Sequence, residues 1–109
     1  MLTENLQPHK NLRMTKAEIV TSISEKLGVE KSDIQEIVNH FMKEVRSALE
    51  SGENVYLRGF GSFVVKTRKA KKGRNISQNV TIDIPAHNIP SFKPAKVFLE
   101  EVKTKVAVN

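Results

Sequence analysis

Apolar residues recur at steps of three and four in the first half of the chain, which predicts helices there. Four of them fall on one helical face in the segment after Thr15: Ile19, Val20, Ile23 and Leu27. Thr15 and Glu18 have the spacing of a capping box, and Gly28 suits the left-handed end of a helix. A first helix therefore begins after Thr15 and ends before Gly28.

A second, longer helix is predicted from about residue 31 to residue 51, with Gly52 ending it. Its apolar residues again follow steps of three and four: Ile34, Ile37, Val38, Phe41, Val45, Ala48 and Leu49. Because the connection between the two helices is short, we expect an antiparallel helical hairpin.

The period changes to two after Gly52, which indicates strands at 55–57, 62–68 and 80–84. Residues 58–61 form a tight turn between the first two strands. The stretch 68–79 has no large apolar residue except Ile76, so it contributes little to a core. We therefore predict a long hairpin that projects from the domain, at about residues 66–84, and call it the arm. A short helix follows at about 94–104, with Val97, Phe98 and Val102 as its expected inner residues.

These elements predict an α+β fold. It has an N-terminal two-helix hairpin, a three-stranded antiparallel sheet with the protruding arm, and a short C-terminal helix. Residues 1–13 are expected to be a flexible tail, 14–104 the domain, and 105–109 a C-terminal tail.

Length and composition exclude several classes of protein. A chain of 109 residues is one domain with a thin core, and pairing with a second copy is a common remedy. The sequence has no cysteine, which excludes disulfides and thiolate metal sites. It has no apolar run long enough for a membrane span, and residues 1–13 have none that suits a signal peptide. A cytoplasmic protein is expected.

Positive charge is concentrated in one segment of the chain. The net charge is +6, and residues 55–98 carry nine bases and a single acid, whereas residues 14–54 carry five bases and eight acids. A surface that binds a polyanion explains this asymmetry better than a mixed solvated surface does.

Six cations lie within nine residues of the arm: Lys66, Arg68, Lys69, Lys71, Lys72 and Arg74. Left unpaired they repel one another, whereas each phosphate that they neutralise releases condensed counterions. Basic side chains on an extended ribbon also fit the minor groove of AT-rich DNA. The alternative is a solvated loop that is charged for solubility.

Two apolar features near these cations have different interpretations. Ile76 either packs back across the hairpin or against Val80, or it acts as a wedge between base pairs, as in proteins that bend DNA from the minor groove. The segment GFGSF at residues 59–63 is structural, with a turn at its glycines and with Phe60 and Phe63 in the core. It lacks the GK[ST] of a phosphate loop, so nucleotide binding is not expected.

No catalytic or metal site is predicted. His9, His40 and His87 lie far apart, and none has the helical partner of a metal pair. We therefore expect neither an enzyme nor a cofactor.

The sequence from Met14 to about Lys103 resembles the HU and integration host factor family of bacterial histone-like DNA-bending proteins. Four segments carry the resemblance: MTKAEIV at 14–20, GFGSF at 59–63, RKAKKGRN at 68–75 and IPSFKPAK at 89–96. It implies an intertwined dimer whose arms embrace double-stranded DNA in the minor groove, in the nucleoid. By position, the residues that correspond to the family's contacts between arm and DNA are Arg68, Lys71, Lys72, Arg74 and Asn75. The residues that correspond to phosphate contacts on the body are Arg58, Lys93 and Lys96.

The resemblance has one departure, at the arm tip. The family usually has an intercalating proline directly after GRN, where this chain has Ile76, and Ser77, Gln78 and Asn79 replace its usual Thr-Gly turn. Isoleucine lacks proline's fixed φ, so we expect a less pre-organised tip. A homodimer and a heterodimer with a paralogue both stay open, and no membrane or small-molecule partner is expected. The alternative function is a general RNA and DNA chaperone that coats without kinking.

Overall fold

The computed structural model describes residues 13–108, so most of the predicted N-terminal tail lies outside the described residues. It has three helices and five strands, in this order along the chain: α1 (Lys16–Leu27), α2 (Lys31–Glu50), β1 (Val55–Leu57), β2 (Gly61–Arg68), β3 (Lys71–Asn75), β4 (Val80–Ile84), β5 (His87–Pro94) and α3 (Lys96–Lys105). The predicted α+β class is therefore confirmed. A boundary between two compact units falls within α2, after Met42.

Both predicted ends of α1 are present. Thr15 Oγ1 accepts a hydrogen bond from the Glu18 N–H at 3.2 Å, and Glu18 Oε1 accepts one from the Thr15 N–H at 2.9 Å. Together they form the capping box. At the other end Gly28 has φ 70° and its N–H donates to the Ser24 carbonyl oxygen at 2.8 Å. The sequence therefore sets the limits of this helix locally.

The helical hairpin buries little apolar surface within one chain. Among residues 13–108, Val20 of α1 and Ile34 of α2 are the only buried hydrophobic residues. By contrast, Leu27, Ile37 and Phe41 are 67%, 63% and 48% exposed although the periodicity placed them on inner faces. A chain with so little core has apolar helix faces that its own residues do not cover.

The second unit contains a three-stranded antiparallel sheet in the order β1-β2-β5. An aromatic cluster on it joins the turn after β1 to α3. The ring centroids of Phe60 and Phe92 are 5.2 Å apart, those of Phe63 and Phe92 4.9 Å, and those of Phe60 and Phe98 5.4 Å. The Ala95 N–H also donates to the Phe60 carbonyl oxygen at 2.9 Å, which fixes the start of α3 beside the turn.

The identity of the third strand in this sheet was predicted wrongly. β5 was not predicted, and it contains Pro90 and Pro94, a residue type that is disfavoured within a sheet. It lies at an edge of the sheet, where a residue without an N–H is tolerated, and Pro90 pairs there with Val65. The predicted third strand, β4, instead pairs with β3 in a separate two-stranded sheet within the arm.

The expected inner face of α3 was also only partly correct. Phe98 is half-buried in the aromatic cluster, but Val97 and Val102 are 62% and 46% exposed. The helix ends at Lys105, close to the predicted end, and Asn109 lies outside the described residues.

Candidate nucleic-acid interface

The arm ends in a two-faced ribbon formed by β3 and β4. Residues paired directly across antiparallel strands share a face, and successive residues alternate between faces. The pairs Lys72↔Asp83 and Arg74↔Thr81 therefore form a polar face. The opposite face is largely apolar, and its three pairs are Lys71↔Ile84, Gly73↔Ile82 and Asn75↔Val80.

Gly73 lies at the centre of the apolar face. A Cβ atom on Gly73 would lie 2.8 Å from Ile84 Cδ1 and 3.5 Å from Ile82 Cγ1. The absence of a side chain therefore leaves room for the end of the Ile84 side chain beside β3.

All six predicted arm cations are exposed. Lys66 and Arg68 lie on β2, where they pair with Ile89 and His87 of β5. Lys69 lies in the break between β2 and β3, and the remaining three cations lie on β3. The structure therefore places the six cations, all of them exposed, on one short stretch of the chain from β2 into β3.

Asp83 opposes the charge of this stretch, and sequence analysis did not single it out. Its Oδ1 lies 2.8 Å from Lys72 Nζ, and the two side chains are 82% and 74% exposed. A signal for the pair was present in the sequence. Lys72 lies four residues before the loop at 76–79 and Asp83 four residues after it, so a hairpin closed by that loop sets them opposite each other.

The tip loop, residues 76–79, presents Ile76 to solvent with 87% of its surface exposed. Its side chain therefore does not pack back across the hairpin, and that alternative is wrong. Asn75 Oδ1 accepts hydrogen bonds from Ser77 Oγ at 2.8 Å and from the Gln78 N–H at 3.3 Å. Asn79 has φ 55°, a conformation that asparagine adopts more readily than most residues.

The three predicted body contacts lie around the start of α3. Arg58 and Lys93 line one open pocket of about 670 Å³, together with Tyr56, Ser62 and Ala95. Lys96 is the first residue of α3, and Ala95 before it makes no side-chain cap. The first N–H groups of an uncapped helix favour an anion, as do two adjacent cations. The pocket, which we call the body pocket, therefore suits a phosphate group.

Residues 13–108 contain no group of three or more His, Cys, Asp or Glu side chains that could hold a metal ion. Within the same residues, no helix has the length and apolar character needed to cross a membrane.

Comparisons with known proteins agree with this geometry. A family model described as bacterial DNA-binding protein matches residues 14–103. The SPβ prophage-derived DNA-binding protein HU 2 of Bacillus subtilis is 44% identical over 92 residues, which cover 84% of this chain and 100% of that protein. Integration host factor subunit alpha of Pseudoalteromonas translucida is 39% identical over 98 residues, which cover 90% and 95% of the two chains.

A solved structure matches as well. The Anabaena HU–DNA cocrystal structure has a TM-score of 0.80 and 37% sequence identity to this chain. The match covers 84% of this chain and 99% of that one. The family suggested by the four sequence segments is therefore confirmed, and this chain belongs to the bacterial DNA-binding protein family that includes HU and integration host factor.

Proposed function

We propose that this protein is an architectural DNA-binding protein that binds the minor groove of duplex DNA with its arms and bends the duplex. One observation carries the proposal: an exposed ribbon with cations along its length ends in an apolar residue that is 87% exposed. Binding of such cations to phosphates is favoured by the release of counterions from DNA. An exposed isoleucine makes apolar contacts only when the surface of a partner covers it.

The arm supplies the sequence-independent part of the affinity. Its proposed contacts to the duplex are Lys66, Arg68, Lys69, Lys71, Lys72, Arg74 and Asn75. A two-stranded ribbon enters the minor groove edge-on, and the negative potential is greatest where that groove is narrow. We therefore expect tighter binding to AT-rich duplexes, together with weak selectivity among them.

Ile76 is the proposed wedge. Insertion of an apolar side chain between two base pairs unstacks that step and kinks the duplex away from the minor groove. The unstacking costs a few kcal/mol, which is offset by contacts that the bent duplex makes elsewhere. The body pocket and Lys96 are suited to supply those contacts, because Arg58 and Lys93 can receive phosphates of the DNA that bends back.

The DNA-binding unit is proposed to be a dimer. Ile37 and Phe41 of α2 leave large apolar surface uncovered within one chain, and a second copy of the same chain would bury it. A homodimer is the simplest assembly. A heterodimer with a paralogue is the other, since one relative is named as a subunit of integration host factor.

The proposed role is structural, without catalysis or a cofactor, and the proposed location is the nucleoid in the bacterial cytoplasm. Family membership and the exposed cationic arm support this role.

Binding to duplex DNA and duplex RNA of the same sequence, each over a salt series, tests the proposed function. The wide, shallow minor groove of A-form RNA fits an inserting ribbon poorly, so we expect tighter binding to DNA at every salt concentration. The logarithm of the affinity for DNA should fall linearly with the logarithm of the salt concentration. Equal affinities for the two duplexes would favour a general nucleic-acid chaperone instead.

A further inference from the structure

The tip loop places an apolar residue in water and must hold it there. Ile76 is 87% exposed, and isoleucine does not fix its own φ as proline does. A side chain that is to enter a base-pair step gains from being held in place beforehand, because less conformational entropy is then lost on binding. The restraint must therefore come from the residues around Ile76.

Asn75 supplies one restraint from the residue before Ile76. Its Oδ1 accepts from Ser77 Oγ at 2.8 Å and from the Gln78 N–H at 3.3 Å. The second bond joins the asparagine side chain to the backbone three residues on, and a bond of this kind stands in for a backbone hydrogen bond of the turn. The first bond joins two side chains. Both connect Asn75 to residues that follow Ile76, so they restrain the turn that carries it.

Asn79 closes the loop from the other end. Its φ of 55° turns the chain back into β4, and its Oδ1 accepts from Arg74 Nη2 at 2.6 Å. A hydrogen bond therefore joins Arg74 and Asn79, which lie at the two ends of the loop. The hydrogen bonds accepted by Asn75 lie within the same loop.

We propose that Asn75 is a positioning residue whose side-chain oxygen holds Ile76 in the orientation that enters the duplex. Asn79, tied to Arg74, supports the same loop. The inference rests on the proposed function, because it assigns to Ile76 the role of wedge.

The first test uses the free protein and the exchange rate of the Gln78 amide hydrogen, measured by NMR. Asn75→Ala removes the acceptor and should raise that rate about fivefold to tenfold, as expected for the loss of a hydrogen bond. Asn75→Asp keeps an acceptor oxygen and should stay within about twofold of the unmodified protein. Asn88→Ala is the matched control, since Asn88 also accepts a side-chain bond, from Thr67 Oγ1 at 2.6 Å, but lies outside the tip.

The second test uses a duplex with a fluorescent adenine analogue at the kinked step, so that unstacking raises its fluorescence. Ile76→Ala should abolish most of the rise at saturating protein, and Asn75→Ala, which leaves the isoleucine present but not held, should reduce the rise by a smaller amount. If Asn75 acts through Ile76, the double variant should lose no more than Ile76→Ala alone.

An unchanged exchange rate in Asn75→Ala, a normal fluorescence rise, or strictly additive losses would each overturn the role of Asn75. If the unmodified protein binds duplex DNA without any unstacking, Ile76 is not a wedge. The hydrogen bonds of Asn75 then have no wedge to position. The two failures are thus distinguished by the behaviour of the unmodified protein.

Discussion

Lys72 and Asp83 face each other across the two strands of the arm, with Nζ and Oδ1 2.8 Å apart, although both side chains are mostly exposed. Asp83 is the single acid among the residues 55–98. In the free protein it therefore neutralises one of the cations that we propose as contacts to the duplex. Under that proposal, a phosphate must compete with this carboxylate for Lys72.

The variant Asp83→Asn should consequently bind DNA more tightly. An exposed ion pair contributes about 0.2–1 kcal/mol, so we expect an affinity gain of up to about fivefold for each arm. The salt dependence should also become steeper, by up to about 0.9 in slope if one more phosphate is engaged. Titrations of one labelled duplex at several salt concentrations measure both quantities.

Removal of any acidic residue from a protein that binds DNA raises its affinity for DNA through long-range electrostatics. The control variant must therefore lose an acidic residue that lies outside the arm. Glu25→Gln changes the net charge equally but lies on α1. Equal gains from the two variants would show that Asp83 acts only through net charge and that its pairing with Lys72 has no consequence for binding.

Ile76→Ala should reduce bending much more than affinity. Loss of the side chain removes the favourable free energy of apolar contact with the bases, but it also removes the free-energy cost of unstacking a base-pair step. These two free energies are of similar size, so the affinity changes little. Val80→Ala, in the same hairpin but outside the tip loop, serves as the control. Normal bending by Ile76→Ala, measured from gel mobility or end-to-end distance, would mean that Ile76 is not the wedge.

Ile37→Glu should prevent dimerisation. Ile37 is 63% exposed in a single chain, so a monomer would tolerate the charge, whereas an interface between two α2 helices would bury it at a cost of several kcal/mol. Gln35→Glu adds the same charge on the same helix and should remain dimeric. Sedimentation equilibrium distinguishes them, and a dimeric Ile37→Glu would place the interface elsewhere.

Gly61→Ala should destabilise the fold more than Gly59→Ala does. A Cβ at Gly61 would lie 2.6 Å from the Lys93 carbonyl oxygen and 2.6 Å from the Phe92 ring, whereas Gly59 has no atom within 4 Å of such a Cβ. Both have positive φ, 81° at Gly59 and 158° at Gly61, so an alanine is strained at either position. Overpacking at Gly61 should add about 1–3 kcal/mol.

Urea denaturation of the two glycine variants, with the unmodified protein alongside, gives the free energies of unfolding for this comparison. Equal losses of stability would show that the contact between Gly61 and β5 relaxes without cost.

The helices were predictable because their limits are encoded locally. The Thr15 and Glu18 capping box and the left-handed Gly28 lie within a few residues of the backbone groups that they satisfy. The run of arm cations was equally visible, because a segment of one charge needs no knowledge of the fold to be noticed. Resemblance to a known family then added the proposed body contacts Arg58, Lys93 and Lys96, which no local pattern distinguishes.

Strand β5 could not be predicted in this way, because an edge position, rather than its own composition, makes Pro90 acceptable there. The exposure of Ile76 was also open, since one apolar residue among polar neighbours is compatible with either orientation. The tip is shaped by hydrogen bonds that Asn75 Oδ1 accepts and that Arg74 donates, and these depend on the loop that β3 and β4 close.

End-to-end distance in a duplex of about 40 base pairs, with a fluorescent dye at each end, tests the central claim most directly when it is followed together with affinity. The unmodified protein should bind with strong salt dependence and shorten the distance at saturation. A variant with Lys69→Glu and Lys71→Glu should lose affinity and salt slope, while Lys72 stays intact so that no second acid faces Asp83. Reversal of Lys26 and Lys31 on the helices changes the net charge equally, and it should cost much less affinity and salt slope than reversal of the arm lysines does. Tight, salt-dependent binding without any shortening would contradict bending, and binding that is insensitive to the arm cations would contradict the account as a whole.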